Sequence, residues 1–345
     1  MNRISIVAVV VSAMMASIAS ANDLKHRADK HAPAGLMGDH LHAKGTGMIE
    51  YKYMNMYMAD NRIGSTTIQD TLAVLPTTID GTFTNGGAAP VSMTMEMHMA
   101  HFMYGLTDDV TIYAMAMLPS LTMDHLRGPG NPAPFGTPFT LHNSGFGDTS
   151  IGMLLRLFSD VDDDLILNLG GSVPTGDIFR TSSTPSVGVG PPQALAYPMR
   201  LGSGTFNARP GITWKHYHDC GSYGLQLQTD IPIGRNYRGY SVSDTYQLNA
   251  WHSLLLTENI ALSLRLENVW KTTFDGEDPA TPNFVISTNV EDFQGGYWLN
   301  LGIGAAATLG DNMLSFEVVP NLYQDLNGIQ LETDWSLVAS WSRSL

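Results

Sequence analysis

The chain of 345 residues is poor in cysteine, in charge and in long apolar runs. Its single cysteine, Cys220, can form no internal disulfide, so a disulfide framework is excluded. Charged residues make up 14% of the chain, well below the roughly 25% of ordinary soluble domains. Only 18 Lys and Arg stand against 32 Asp and Glu. The resulting net charge of −14 argues against nucleic acid, whose binding needs clustered cations. Beyond residue 21 no stretch reaches the roughly 18 apolar residues of a helical membrane span, which disfavours an α-helical membrane protein.

What is present begins with an export pattern. Arg3, the apolar run Ile4 to Ile18 and the small residues Ala19-Ser20-Ala21 predict a signal peptide over 1–21. Residues 22–44 are hydrophilic and histidine-rich without clear period, suited to a turn into the next domain or to a plug. From residue 45 to 345 the chain alternates polar and apolar residues at period two, broken by turns. In Ile260–Lys271 the residues Ile260, Leu262, Leu264, Leu266 and Trp270 share one side, and Ser263, Arg265, Glu267 and Lys271 the other. Unpaired charges repeating at period two are too costly for a packed soluble core. A wall between lipid and water accommodates both faces. The pattern predicts an all-β fold, an antiparallel transmembrane β-barrel in the outer membrane of a Gram-negative bacterium, with lipid as its surroundings. A soluble β-sandwich is the competing reading.

Short turns fall at 106–109, 159–164, 218–221, 256–259 and 309–312, each carrying Asp, Asn, Gly or Thr. Longer connections fall near 59–90, 124–144, 177–200, 236–242, 273–292 and 323–329. Together they predict about 12 strands, with short periplasmic turns and long external loops. Alternation then assigns faces. The lumen-lining candidates are Glu50, Lys52, Glu96, His98, Asn207, Arg209, Lys215, Gln226, Gln228, Asp230, Arg265, Glu267, Lys271, Glu332 and Asp334. Leu331, Trp335, Leu337 and Trp341 are expected to face lipid. Both signs of charge occur in the expected lumen, which suits cross-lumen ion pairs better than a charge filter.

Thirteen of the 19 methionines lie between Met37 and Met123, several spaced Met-x-Met. Thioethers and imidazoles are ligands for copper, thioethers for Cu(I) in particular. Met54, Met56 and Met58 share parity with Glu50 and Lys52 and so are lumen candidates for a metal. Asp39, His40 and His42 form a second candidate set, a carboxylate beside two imidazoles. On the next strand Ser92, Thr94, Glu96 and His98 look like the wet face, which would leave Met93 to Met99 as ordinary lipid-facing residues.

Enzyme motifs are lacking. Gly145-Phe146-Gly147-Asp148 opens a strand, so it is no nucleotide loop, and Gly202-Ser203-Gly204 lacks a strand-to-helix turn. The expectation is a protein that is not an enzyme.

Several stretches carry a family resemblance: His31 to His40 (HAPAGLMGDH), Gly47-Met48, Tyr51-Lys52-Tyr53-Met54, Met93–Met99, Gly145–Asp148, Val173–Gly176, Tyr197–Thr205, Gly234–Tyr240 and Tyr323–Gly328. The chain resembles proteobacterial outer-membrane transporters grouped as the "MetA-pathway of phenol degradation" family. That resemblance implies a barrel that moves small, even aromatic, molecules across the outer membrane, and it defines no binding residues. A departure is the ending Arg343-Ser344-Leu345, where such barrels commonly finish on an aromatic residue. Three functions follow for testing: a small-solute channel, a copper-binding or copper-conducting barrel, and a structural or adhesive barrel whose loops bind external partners.

Overall fold

The computed structural model describes residues 27–345 except 80–81, 85, 130–133, 183–192 and 282–285. The expected signal peptide therefore lies outside the described residues, as does much of the long connection near 177–200. Eleven strand elements form the wall: β1 (Gly47–Gly64), β2 (Ala88–Thr107), β3 (Val110–Arg127), β4 (Thr149–Ser159), β5 (Asp163–Val173), β6 (Asn207–His218), β7 (Gly221–Pro232), β8 (Thr245–Thr257), β9 (Ile260–Lys271), β10 (Gly296–Leu309) and β11 (Asn312–Ser344). Each pairs antiparallel with its neighbours in chain order, and β11 pairs antiparallel with β1 to close a barrel. Two short strands, Pro138–Ser144 on β3 and Thr66–Ile68 on β1, extend the wall at its rim.

Antiparallel closure requires an even number of passes, and β11 supplies the twelfth. Its 33 residues would span about 110 Å if straight. It folds back instead, near Gly328 (φ 90°). Ser315 Oγ meets Ser340 Oγ at 2.6 Å, and Gln324 and Thr333 exchange hydrogen bonds. Residues 312–326 pair with β10 and 326–344 with β1. A wall of twelve passes has a backbone diameter of roughly 24 Å.

The two faces of β9 show why the sequence must fold this way. Leu262 and Leu264 are 44% and 48% exposed on the outside, whereas Arg265 is 2% exposed inside. Ile212, Leu225, Leu248, Ile303 and Phe316 continue the exposed apolar band around the barrel. Bared to water, such a band would exceed the few hundred Å² that soluble monomers tolerate. An apolar surrounding would remove that cost. Among the described residues no helix is long and apolar enough to cross a membrane.

The wall is uneven in height. β5, β6 and β9 have 11 or 12 residues, about what a bilayer needs, but β1, β2 and β3 have 18 to 20. The tall side therefore rises past the membrane on the long-loop end. Against its inner face pack loop residues Leu195, Ala196, Met199, Leu201 and Ile286, which meet Met93, Leu121 and Met123.

Candidate functional site

Residues 27–46 run inside the barrel, entering and leaving on the short-turn side. Arg27 donates to the carbonyls of His218 (2.7 Å) and Gly221 (2.9 Å) and to the Asp29 carboxylate. The Lys30 carbonyl accepts from Lys215 Nζ. Deeper in, Gly35 N donates to Glu317 Oε2 (2.7 Å), Lys52 Nζ to the Leu36 carbonyl (3.2 Å), and Gln226 to the Met37 carbonyl (2.8 Å). The chain then turns back, with His42 N on Thr111 Oγ1 (2.8 Å), Lys44 N on Asp108 (2.9 Å) and Gly45 N on the Gly105 carbonyl (2.9 Å). A segment without helix or strand must satisfy its buried backbone some other way. Here the wall's side chains do so.

Glycine is needed at the deepest point. A Cβ on Gly35 would stand 2.4 Å from Arg265 Nη2 and 2.6 Å from Glu317 Oε2, and Gly38 has φ +73°. Arg265 and Glu317 are locked together at 2.8 Å, with Arg265 also on Asn249 (2.9 Å) and Glu267 (2.7 Å). Glu317 had no place among the sequence candidates. It shares parity with Ser315 on an apolar-looking strand, and only the register against β9 through β10 reveals its partner.

Of the lumen candidates, Glu50 and Lys52 lie 3.5 Å apart beneath the segment, with His101 3.1 Å from Glu50. Lys215 also reaches Asp39 at 3.4 Å. Asp230 accepts from Asn207 (2.6 Å) and Arg209 (2.7 Å), and Arg209 reaches across to Ser150 (2.6 Å). Gln228 donates to the Arg209 carbonyl (3.0 Å). Gln228, Arg209, Asp230 and Lys271 line a cavity of about 350 Å³ floored by Gly35–Gly38. Met103, Tyr113, Met115 and Leu154 also line it.

Several assignments need correction. Glu96 and His98 turn outward, bonded to Tyr53 (2.8 Å) and Tyr51 (2.6 Å), and Tyr51 is an exposed outer residue. Directly opposed residues in an antiparallel pair share a face. Lys52, which reaches inward to Leu36, is opposite Met99, so Met93, Met95, Met97 and Met99 face the bore and not lipid. Glu332 and Asp334 also fail to line the bore. Asp334 is an extra residue where Tyr57 pairs with Trp335 but Met58 with Thr333, and one inserted residue inverts the parity beyond it. Glu332 thus pairs on the rim with Arg62 at 2.8 Å, while Leu331, expected outside, packs inward.

The inward methionines form a continuous wall across three strands. Met54 stands opposite Met97, Met56 opposite Met95 and Met58 opposite Met93. Met93 in turn faces Met123, and Met99 faces Met117.

The mouth at the long-loop end is filled. Arg200 bonds Asp278 (2.8 Å) and Thr281 (2.6 Å) and lies over the rings of Tyr197 and Tyr240. Tyr197 donates to Glu291 at 2.5 Å and accepts from Asp278 N at 3.0 Å. Burial and the Glu291 carboxylate raise the Tyr197 phenol far above its ordinary value, so it stays a donor.

Within the segment, Asp39 and His40 contact at 2.9 Å, and His31 and His40 cross edge to face at 4.0 Å. Burial, followed by the His40 imidazole, lowers His31 well below the usual range. Burial pushes His42 down to about 3, helped by repulsion from His40. Asp39 is held well below the usual carboxylate range by His40 and Lys215, against its own burial.

No known family model matches the chain, and no curated protein matches it in sequence. The resemblance to phenol-degradation transporters thus rests on the quoted residues alone. Solved structures do match. An outer-membrane channel from Pseudomonas putida F1 aligns with TM-score 0.59 and 13% identity, covering 89% of this chain and 97% of that one. The fold is that of a Gram-negative outer-membrane barrel. The Ralstonia pickettii toluene transporter TbuX (TM-score 0.41, 10% identity, 92% of each chain) and the KdgM porin (0.41, 7%, 86% and 99%) align more loosely.

Proposed function

We propose that the protein is an outer-membrane channel for small solutes, held shut by its own N-terminal segment on the periplasmic side and by folded loops outside. The observation that carries this reading is the cavity of about 350 Å³ between segment and wall. That volume lies within the range of small-molecule sites. Its lining is of two chemical kinds. Arg209, Lys271, Gln228 and Asp230 offer hydrogen bonds and charge, while Met103, Tyr113, Met115 and Leu154 offer an apolar, polarisable face. A small aromatic molecule bearing an acidic or hydroxyl group suits such a mixed lining, in keeping with the family resemblance.

The test is conductance of the refolded mature barrel in a planar bilayer, with and without residues 27–44. The intact protein should conduct rarely and the shortened one steadily, and solute flux into liposomes should rise in parallel. A folded shortened barrel that neither conducts nor passes any small solute removes the reading.

The methionine wall favours a second reading, passage of a soft ion such as Cu(I). Met54→Leu, Met56→Leu and Met58→Leu together keep apolar volume and remove the sulfurs. Unchanged Cu(I) transport in that variant would eliminate these three residues as ligands.

A further inference from the structure

We propose that His31, Asp39 and His40 form a binding site for one divalent transition-metal ion, which pins the N-terminal segment in the bore. Their donor atoms all lie within 4.8 Å of one another, the spacing of ligands around a single ion. The three residues border a cavity of about 30 Å³, room for an ion or a water but for no organic solute.

The arrangement has the features of a built site. Asp39 Oδ1 and His40 Nδ1 lie 2.9 Å apart, a separation that two donors of one ion can share once the proton between them is displaced. His40 Nε2 is buried and has no hydrogen-bond partner, and His42 Nε2 nearby is in the same condition. Two such atoms side by side are costly unless something satisfies them. The His42 ring lies 5.1 Å from that of His40, close enough to join as a fourth donor after a small rotation.

Donor chemistry selects the ion. Imidazole nitrogen with one carboxylate oxygen suits Zn(II), Cu(II) or Ni(II), whereas Mg(II) and Ca(II) demand oxygen shells. Two ammonium groups stand nearby, Lys215 on Asp39 at 3.4 Å and Lys52 beyond. The Glu50 carboxylate in the same cavity offsets one of them.

All three ligands belong to the segment, and none to the wall. A bound ion would join His31 to His40 across the tight turn in which Leu36 N donates to the Pro33 carbonyl (2.9 Å). It would reinforce the closure already made by Ala32 N on Asp39 Oδ2 (2.6 Å). The ion would thus fix the folded shape that fits Glu317, Lys52 and Gln226. The site rests on the docked segment and not on what the barrel conducts.

The test is titration of the refolded, detergent-solubilised mature protein with Zn(II) and then Cu(II), read by competition with a chromogenic chelator. Wild type should bind one ion, and His31→Ala with His40→Ala should weaken binding at least tenfold. The Met54, Met56 and Met58 leucine variant should bind as wild type. Heat-shifted gel mobility checks that each protein is folded, and His31→Asn alone serves if the double variant is not. Hydrogen exchange over 31–42 should slow when the ion is added. No stoichiometric binding by folded wild type, or equal binding by the histidine variants, overturns the site, leaving water as the partner of the free nitrogens. Either failure leaves the conductance result standing by itself.

Discussion

Glu317 is the side chain on which the interior most depends. It is fully buried, it neutralises Arg265, and it accepts the backbone N–H of Gly35. Removing one partner of a buried pair costs about 3–5 kcal/mol. Glu267 remains on Arg265, so Glu317→Ala should fall near the lower end, about 3 kcal/mol, in the denaturant unfolding midpoint. Glu317→Gln retains an acceptor and should cost less. Equal, small losses in both would mean that Glu267 alone suffices. Protons act at the same scale. His42 in the docked segment titrates at about 3, far below the ordinary 6.5, so between those values a released segment takes up a proton that a docked one refuses. Linkage then favours release as pH falls from 6.5 toward 3. Asp39, lowered in the docked state, adds a loss in the same direction at still lower pH. Protease cleavage within 31–42 should therefore be faster at pH 4.5 than at pH 7.5. The opposite order would contradict this sign.

Elements differ in how far the sequence alone could reveal them. β9 alternates without interruption from Leu262 to Glu267, and its faces are legible residue by residue there. β2 is not, because Ser92, Thr94, Glu96 and His98 look like a wet lumen. Glu96 lies eleven residues from the end of β2 at Thr107, about the height at which a strand leaves the bilayer. Polar groups on the outer face are affordable there, especially when Tyr51 and Tyr53 cap them. The bulge at Asp334 was equally hidden, since nothing in the local pattern marks an inserted residue. The outer lid was invisible for another reason: Arg200 and Asp278 are 78 residues apart in sequence. Arg200→Ala leaves Asp278, among the described residues, the more distant Arg238 at 3.5 Å as its cation. Loop 193–206 should then be cut several-fold faster by added protease while the barrel still folds. No change in cutting would mean that apolar packing on Met93 and Met123 holds the lid without the ion pair.

At the scale of the whole molecule, the barrel is closed by pairing of its first and last passes, and its interior is occupied from one end and covered at the other. The segment leaves the bore at Gly45 and becomes β1 within two residues. It is therefore a tethered ligand of its own receptor. A tether of this length sets an effective concentration in the millimolar range. On the proposed channel reading, blockade is then independent of how dilute the protein is, and opening is a fluctuation within one molecule. A free peptide of residues 27–44 at about millimolar concentration should block a shortened barrel to the extent that the tether blocks the intact one. Much weaker block at that concentration would show that the joint at Gly45 orients the segment as well as concentrating it.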